Sequence, residues 1–165
     1  MKIAFLNPQG NFDPDDRYWT AHPDFGGQLV YVKEVALALA GLGHPADILT
    51  RRIVDPDWDG FEGHLDAYPD EPGVRIVRLD CGPAGFLRKE LLWPYLHEWT
   101  ENILAFYREE GGFPDLWTGH YADGGLAAAI LSEATGRPFT LTGHSLGAQK
   151  LERLAGPAAD LPALE

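Results

Sequence analysis

The sequence predicts an α/β fold built on a mostly parallel open sheet with helices on both faces. Three observations predict it. Short apolar runs alternate along the chain with longer runs of helical period. Glycine and proline punctuate the joints between them. The segments that follow three of the apolar runs, 7–28, 119–125 and 143–150, are rich in Gly, His, Tyr, Gln or Lys. Open sheets of this kind bind ligands beyond the carboxyl ends of their strands, so those segments are the candidate site.

The elements follow in order. Residues 2–6 form a first strand, ended by Asn7-Pro8. Residues 7–25 form a long loop, and Phe12, Tyr18, Trp19 and Phe25 argue that it is ordered. Residues 27–42 form the first helix. Leu29, Val32, Ala36 and Leu39 give its buried stripe, and Gly41 and Gly43 end it. Residues 46–50 form a second strand, and 55–73 an excursion with Pro, Gly, Asp and Trp. Residues 74–79 alternate with period two and predict a third strand near an edge. Residues 89–108 predict the longest helix, with Leu92, Leu96, Trp99, Ile103 and Phe106 inward and Pro94 near its start. Residues 115–118 form a fourth strand leading into Gly119-His120-Tyr121. Residues 123–135 form a small-residue helix closed by Gly136. Residues 139–142 form a fifth strand, followed by a helix start through Lys150. Residues 1–155 read as one domain and 156–165 as the start of a linker or tail.

Composition sets the outer limits. The chain has 165 residues, enough for one domain with a real core. Apolar residues make up 45% and charged residues 23%, as in soluble globular proteins. The net charge of −12 argues against a nucleic-acid partner. A local cluster of cations and helix ends can still hold a small anion. Cys81 stands alone, which excludes a disulfide framework or a cysteine metal site and fits a reducing compartment. No stretch approaches 18 apolar residues, and the amino terminus is too short for a secretory signal. The expectation is a cytoplasmic protein that engages no membrane.

The sharpest single feature is Asp24-Phe25-Gly26-Gly27-Gln28, which opens straight onto the first helix. Two glycines before a helix leave backbone N–H groups and the positive end of the helix dipole beside open space, a place that receives phosphate or a sugar diphosphate. A tight loop entering a helix with no ligand reads the same way. Gly143-His144-Ser145-Leu146-Gly147 also matches the G-x-S-x-G turn of serine hydrolases, between a strand and a helix as that motif requires. That reading makes Ser145 a nucleophile. The expected order is Ser, acid, His, and no histidine follows Ser145, so a triad cannot be completed. The plainer reading is a strand-to-helix turn with Ser145 as a cap and His144 as a buried hydrogen-bonding group.

Five ordered blocks then point further. They are Phe5-Leu6-Asn7-Pro8-Gln9-Gly10-Asn11-Phe12, His22-Pro23-Asp24-Phe25-Gly26-Gly27-Gln28, and Lys89 with Leu92-Trp93-Pro94-Tyr95. The last two are His120-Tyr121-Ala122-Asp123-Gly124-Gly125 and Thr142-Gly143-His144-Ser145-Leu146-Gly147-Ala148-Gln149-Lys150. Together they resemble the sucrose-phosphate synthase family, in particular its short bacterial form, from residue 2 to about residue 154. The resemblance implies the N-terminal half of a GT-B fold, in which two Rossmann-like domains face each other across a cleft. It implies a retaining transfer of glucose from UDP-glucose to fructose 6-phosphate, giving sucrose 6-phosphate and UDP. The N-terminal domain holds mainly the acceptor, and the C-terminal domain, absent from this chain, holds most of the nucleotide sugar.

Carried over, Gly26 and Gly27 match the loop beside donor diphosphate and acceptor, and Gln28 matches an acceptor-sugar contact. Lys89 and Lys150 match cations near the acceptor phosphate, Tyr121 and Ser145 its hydroxyl partners, and His144 the histidine at the reacting centre. Lysine suits a phosphate as a point charge. Unaided, Lys89 and Lys150 read as surface lysines, and Asp24 and Asp123 as loop or helix caps. No pair of carboxylates flanks a cleft in the sequence. The resemblance implies none is needed: the leaving phosphate oxygen takes the proton of the incoming hydroxyl, and the protein supplies position and electrostatics. No metal or other cofactor is expected. Three other readings stay open: a non-catalytic domain that docks to a partner domain, the serine hydrolase, and a synthase using another hexose donor, such as mannose, with the same acceptor.

Overall fold

The computed structural model describes residues 1–19 and 26–145. The chain runs β1 (Ile3–Asn7), α1 (Gly27–Gly41), β2 (Ala46–Arg51), β3 (Leu65–Ala67), β4 (Val74–Leu79), α2 (Leu96–Glu109), β5 (Leu116–His120), α3 (Tyr121–Thr135) and β6 (Phe139–Thr142). The strands make one sheet in the order β3-β4-β2-β1-β5-β6. All pairings are parallel except that of β3 with β4. The expected mostly parallel α/β sheet is the observed one.

The order follows from right-handed crossovers. The chain leaves β1 through α1 toward β2 and β4. It then returns through α2 to the other side of β1 and continues outward through α3 to β6. The two directions put α1 on one face and α2 with α3 on the other. Two cores result. One joins Leu29, Val32 and Ala36 of α1 to Ile3, Phe5, Ile48, Val74 and Ile76, with Phe12 and Phe61 from the loops. The other joins Leu96, Trp99, Ile103 and Tyr107 of α2 and Ala127, Ala128 and Leu131 of α3 to Ala4, Leu6, Leu49, Val77 and Trp117. Leu39, expected in the α1 stripe, and Phe106, expected in the α2 stripe, are only partly covered.

Three expectations need correction. The helix expected over 89–108 is not the longest. Residues Lys89–Leu91 and Trp93–Tyr95 form two 3₁₀ turns, and α2 starts only at Leu96, with 14 residues against 15 in α1 and in α3. Pro94 supplies no N–H for an i→i−4 bond, so the chain uses the shorter bonds Leu92 N–H to Lys89 O and Tyr95 N–H to Leu92 O. The excursion over 55–73 contains β3, a three-residue strand too short to carry a periodic signal. The third expected strand, β4, is near an edge as expected, one place in, but its period-two alternation does not put one face in solvent. Arg78 is buried, because its guanidinium donates to Asn11 Oδ1 (3.2 Å), Phe12 O (2.6 Å), Gly63 O (3.2 Å) and Asp66 Oδ2 (3.3 Å). Arg51 is buried in the same way against the carbonyls of Cys81, Pro83 and Gly85. These two forks tie the loops after β1, β2 and β4 to the sheet. At the opposite end, Asp47 is held by Arg75 (2.7 Å and 3.0 Å), the Tyr107 hydroxyl (2.8 Å) and Lys2 (3.1 Å). β6, outermost among the described residues on its side, is largely exposed, including Phe139 and Leu141.

Glycine serves α3 differently from α1. A Cβ on Gly119 or Gly124 would fall within 3.0 Å of backbone atoms, Gly124 O and Leu6 O respectively, and one on Gly125 would strike Leu141. The start of α3 is therefore pressed onto β1 and β5. Around Gly26 and Gly27 an added Cβ would meet nothing within 4 Å among the described residues. Gly124→Ala is expected to destabilise the chain by at least about 2 kcal/mol, since a backbone carbonyl cannot yield as a side chain does. Gly27→Ala is expected to stay within about 0.5 kcal/mol of the parent. Denaturant midpoints of the two variants, compared with the parent, check both.

Candidate functional site

The strand order reverses at β1, whose neighbours β2 and β5 are reached by opposite crossovers. The crevice of such a sheet opens outside the carboxyl ends of the strands at that reversal. Here those ends are Asn7 and His120, with Thr142 one strand further out. The segments after β1, β5 and β6 therefore share one rim, as the sequence led one to expect.

The start of α1 stands at this rim. Gly26 is its N-cap in extended conformation (φ −124°, ψ −154°); no side chain among the described residues caps the helix, and its first turn carries no acidic residue. Leu29 N–H bonds back to Gly26 O at 2.9 Å, while the N–H groups of Gly27 and Gln28 have no backbone acceptor among the described residues and stand beside two glycines that present no side chain. The next residue, Gln28, is buried and locked in a row of amides. Gln9 Nε2 donates to Gln28 Oε1 (3.1 Å), and Gln28 Nε2 donates to Asn7 Oδ1 (2.6 Å). The Gln28 amide keeps one N–H and one lone pair for any further contact. Asn7 Nδ2, fully buried, has no partner among the described residues.

Two imidazoles meet on the neighbouring strands. His120 Nδ1 lies 2.8 Å from His144 Nε2, and the Thr118 hydroxyl lies 3.4 Å from His120 Nε2. Phe5 stacks on His120 with ring centroids 5.7 Å apart, and Tyr121 and Tyr31 approach His144 at 5.1 Å and 5.2 Å. Burial holds the His120 imidazolium off, lowering its pKa to about 3, with the His144 charge as a second cause. Burial also lowers that of His144. Among the described residues no carboxylate contributes to either shift; at neutral pH the two rings are uncharged and hydrogen-bonded to each other. Tyr121 (φ 61°) and His144 (φ 52°) both adopt the left-handed region without being glycine. Such strain is held by surrounding structure and gathers at functional sites.

The expected site residues fall as follows. Tyr121 and His144 come together, and Ser145 follows directly in the turn, its N–H bonded to Gly143 O. Gly26, Gly27 and Gln28 adjoin Asn7 at the end of β1. Tyr31, one turn along α1 from Gln28, touches both histidines and joins the two groups. Lys89 sits on the first 3₁₀ turn after β4, with its amine 3.9 Å from Glu90. Lys150 and Asp24 lie outside the described residues, as does the helix expected to begin after Ser145. Asp123 accepts the Gly124 N–H at 2.9 Å, a local cap. The sequence reading missed Asn7, Gln9, Tyr31 and the bonding partner role of His120. Asn7 and His120 are the last residues of strands flanking the reversal, a signal available once the strand order is known.

Residues 26–164 match the glycosyl transferase 4-like domain family, and the chain belongs to that family. Its relatives include sucrose-phosphate synthases and a mannosylfructose-phosphate synthase. A probable sucrose-phosphate synthase of Thermosipho melanesiensis is 54% identical over 153 residues, covering 93% of this chain and 36% of that one. The mannosylfructose-phosphate synthase of Agrobacterium fabrum is 39% identical, covering 93% of this chain and 32% of that one. The solved structure of a sucrose-phosphate synthase from Thermosynechococcus elongatus superposes with a TM-score of 0.72 at 26% identity, over 92% of this chain and 35% of that one. The chain thus spans about a third of the length of these relatives.

The buried histidine makes a pH prediction. In the folded chain His120 stays neutral down to about pH 3, whereas in the unfolded chain it binds a proton near its usual pKa of about 6.5. The unfolded state binds more protons between those values, so stability rises with pH across that window and falls as pH drops through it. The expected slope from this residue is of order 1 kcal/mol per pH unit. His120→Asn should flatten the part between pH 7 and 5, measured by denaturant unfolding.

Proposed function

We propose that this chain forms the acceptor-side half of a retaining hexosyltransferase of the sucrose-phosphate synthase kind, with fructose 6-phosphate as acceptor and UDP-glucose as donor. The observation that carries the reading is the uncapped double-glycine start of α1, standing at the strand reversal beside the Asn7–Gln28–Gln9 amides and the His120–His144 pair. Positive helix end, glycine backbone and fixed amides suit a phosphorylated sugar and a neighbouring diphosphate. Gly26 and Gly27 lie against the ligands in this reading. Gln28, Tyr121 and Ser145 hold the acceptor's hydroxyls, and Lys89 and Lys150 neutralise its phosphate.

The chemistry asks little of the protein as acid or base. The bond between the anomeric carbon and the leaving diphosphate oxygen breaks, and the acceptor hydroxyl oxygen bonds to that carbon on the same face. The hydroxyl proton passes to the leaving oxygen. The protein contributes alignment and donors for the charge that develops. His144, neutral and wedged among aromatic rings, serves as a hydrogen-bonding group to a sugar hydroxyl near that carbon, not as a nucleophile. Among the described residues no acid contributes to the shifts of the histidine pair, which favours the transferase over the hydrolase reading.

A second reading concerns the donor. The likeness to a mannosylfructose-phosphate synthase favours keeping mannose beside glucose, with the acceptor unchanged. In both readings the nucleotide is held mainly by a further domain.

Titration of the chain with fructose 6-phosphate, followed by amide NMR or calorimetry, is expected to give a weak, saturable response. Fructose is expected to give a response at least about tenfold weaker, because each charged phosphate contact is worth about 1.5 kcal/mol or more. Lys89→Ala and Lys150→Ala should each weaken the sugar phosphate and leave fructose unchanged. Equal responses to both sugars, or none to either, would discard the acceptor assignment.

A further inference from the structure

Two neutral imidazoles joined by one hydrogen bond share a single proton, and the pair alone does not fix which ring supplies it. His120 Nδ1 and His144 Nε2 are 2.8 Å apart, so either could be the donor. The Thr118 hydroxyl breaks the symmetry. It is buried beneath the pair, two residues before His120 on the same face of β5, and its one partner among the described residues is His120 Nε2 at 3.4 Å. A buried O–H left without an acceptor costs more than a lone pair left without a donor. Thr118 therefore donates, and His120 Nε2 accepts. The His120 proton is then on Nδ1, which donates to His144 Nε2. His144 is left with its own proton on Nδ1, the nitrogen that has no partner among the described residues.

We propose that Thr118 and His120 are positioning residues: a one-way hydrogen-bond chain from Thr118 through His120 fixes His144 as the Nδ1–H tautomer, so that it offers a donor, and not an acceptor, to whatever binds at the rim. The geometry around the pair restrains the alternative. Phe5 stacks on His120 at an interplanar angle of 21°, and Tyr31 meets His144 edge-on at 81°. These contacts hold the planes of the two rings, and turning either ring over within its plane would put a carbon in place of the bonded nitrogen and break the bond. The lowered pKa values of both rings remove the other escape, a protonated pair with a donor on every nitrogen. The chain also crosses the fold. Thr118 and His120 belong to β5, while His144 belongs to the turn after β6, so one relay sets the orientation of the second loop from the first strand.

The chemical consequence rests on the sugar-transfer reading: a donor at His144 meets a sugar oxygen that gains negative charge or accepts a hydrogen bond. The tautomer itself does not rest on it, and the test reads the tautomer. In the chain labelled with ¹⁵N-histidine, two-bond ¹H–¹⁵N correlation spectra at pH 7 are expected to show both His120 and His144 protonated at Nδ1 with unprotonated Nε2. Thr118→Val, which keeps the shape and removes the hydroxyl, is expected to lose the single tautomer at both rings. Thr118→Ser is expected to restore it, which a role in packing alone would not produce. A His144 protonated at Nε2 in the parent chain, or a Thr118→Val spectrum identical to the parent's, overturns the proposal. Both outcomes leave the result of the fructose 6-phosphate titration untouched, so the two readings fail separately.

Discussion

The site depends on how closely α3 can lie against the middle of the sheet. Gly119, Gly124 and Gly125 remove the side chains that would keep the start of α3 away from Leu6 and Leu141. That contact brings the first turn of α3 directly off the end of β5, without an intervening loop. The chain turns from strand to helix within His120 and Tyr121, and Tyr121 takes up a left-handed backbone to do so. His120 is thereby held against β1, stacked on Phe5, while Tyr121 swings onto His144. A longer connection would leave both rings free to move, and the histidine pair would have no fixed partner.

The identical dipeptides Gly26-Gly27 and Gly124-Gly125 show what a sequence can and cannot disclose. Both stand at the amino end of a helix, and sequence alone marks only the first as a ligand-receiving turn. The fold separates them: Cβ atoms on the first pair would meet nothing within 4 Å among the described residues, and the other pair is pressed on Leu6 and Leu141. The parallel α/β architecture was legible because apolar runs and helical stripes coincide with the cores for Leu29, Val32, Leu96, Trp99 and Ile103. The 3₁₀ turns at Lys89–Leu91 and Trp93–Tyr95 were not, because proline near a helix start is usually harmless and a stripe of period 3.6 tolerates a break before it. β3 is too short for periodicity, and burial of Arg78 and Gln28 depends on partners far away in sequence. Polar residues inside a core leave no periodic trace, so Asn7, Gln9 and the bonding of His120 could be read only from contacts.

Buried polar groups divide the labour between the two ends of the sheet. At the amino ends, Asp47 gathers Arg75, Tyr107 and Lys2 and fastens α2 to β2 and β4. At the carboxyl ends, Arg51 makes its three bonds to backbone carbonyls of the loop after β4, and Arg78 divides its four between the carbonyls of Phe12 and Gly63, the Asn11 amide and the Asp66 carboxylate. Carbonyl-bound guanidinium groups order irregular chain while keeping their positive charge near the rim. In a protein of net charge −12 this matters, because the rim that is proposed to meet anions is the place where the overall repulsion has to be overcome locally.

The exposed outer strand has a practical consequence for handling the chain by itself. Among the described residues β6 has no strand on its outer side and exposes Phe139 and Leu141, the kind of border onto which a second strand can add. Concentrated samples are thus prone to edge-to-edge self-association, and the acidic surface that keeps molecules apart in dilute buffer is screened by salt. Low ionic strength and a pH well above the sequence pI of about 4.8 are the conditions under which the isolated chain keeps its colloidal stability.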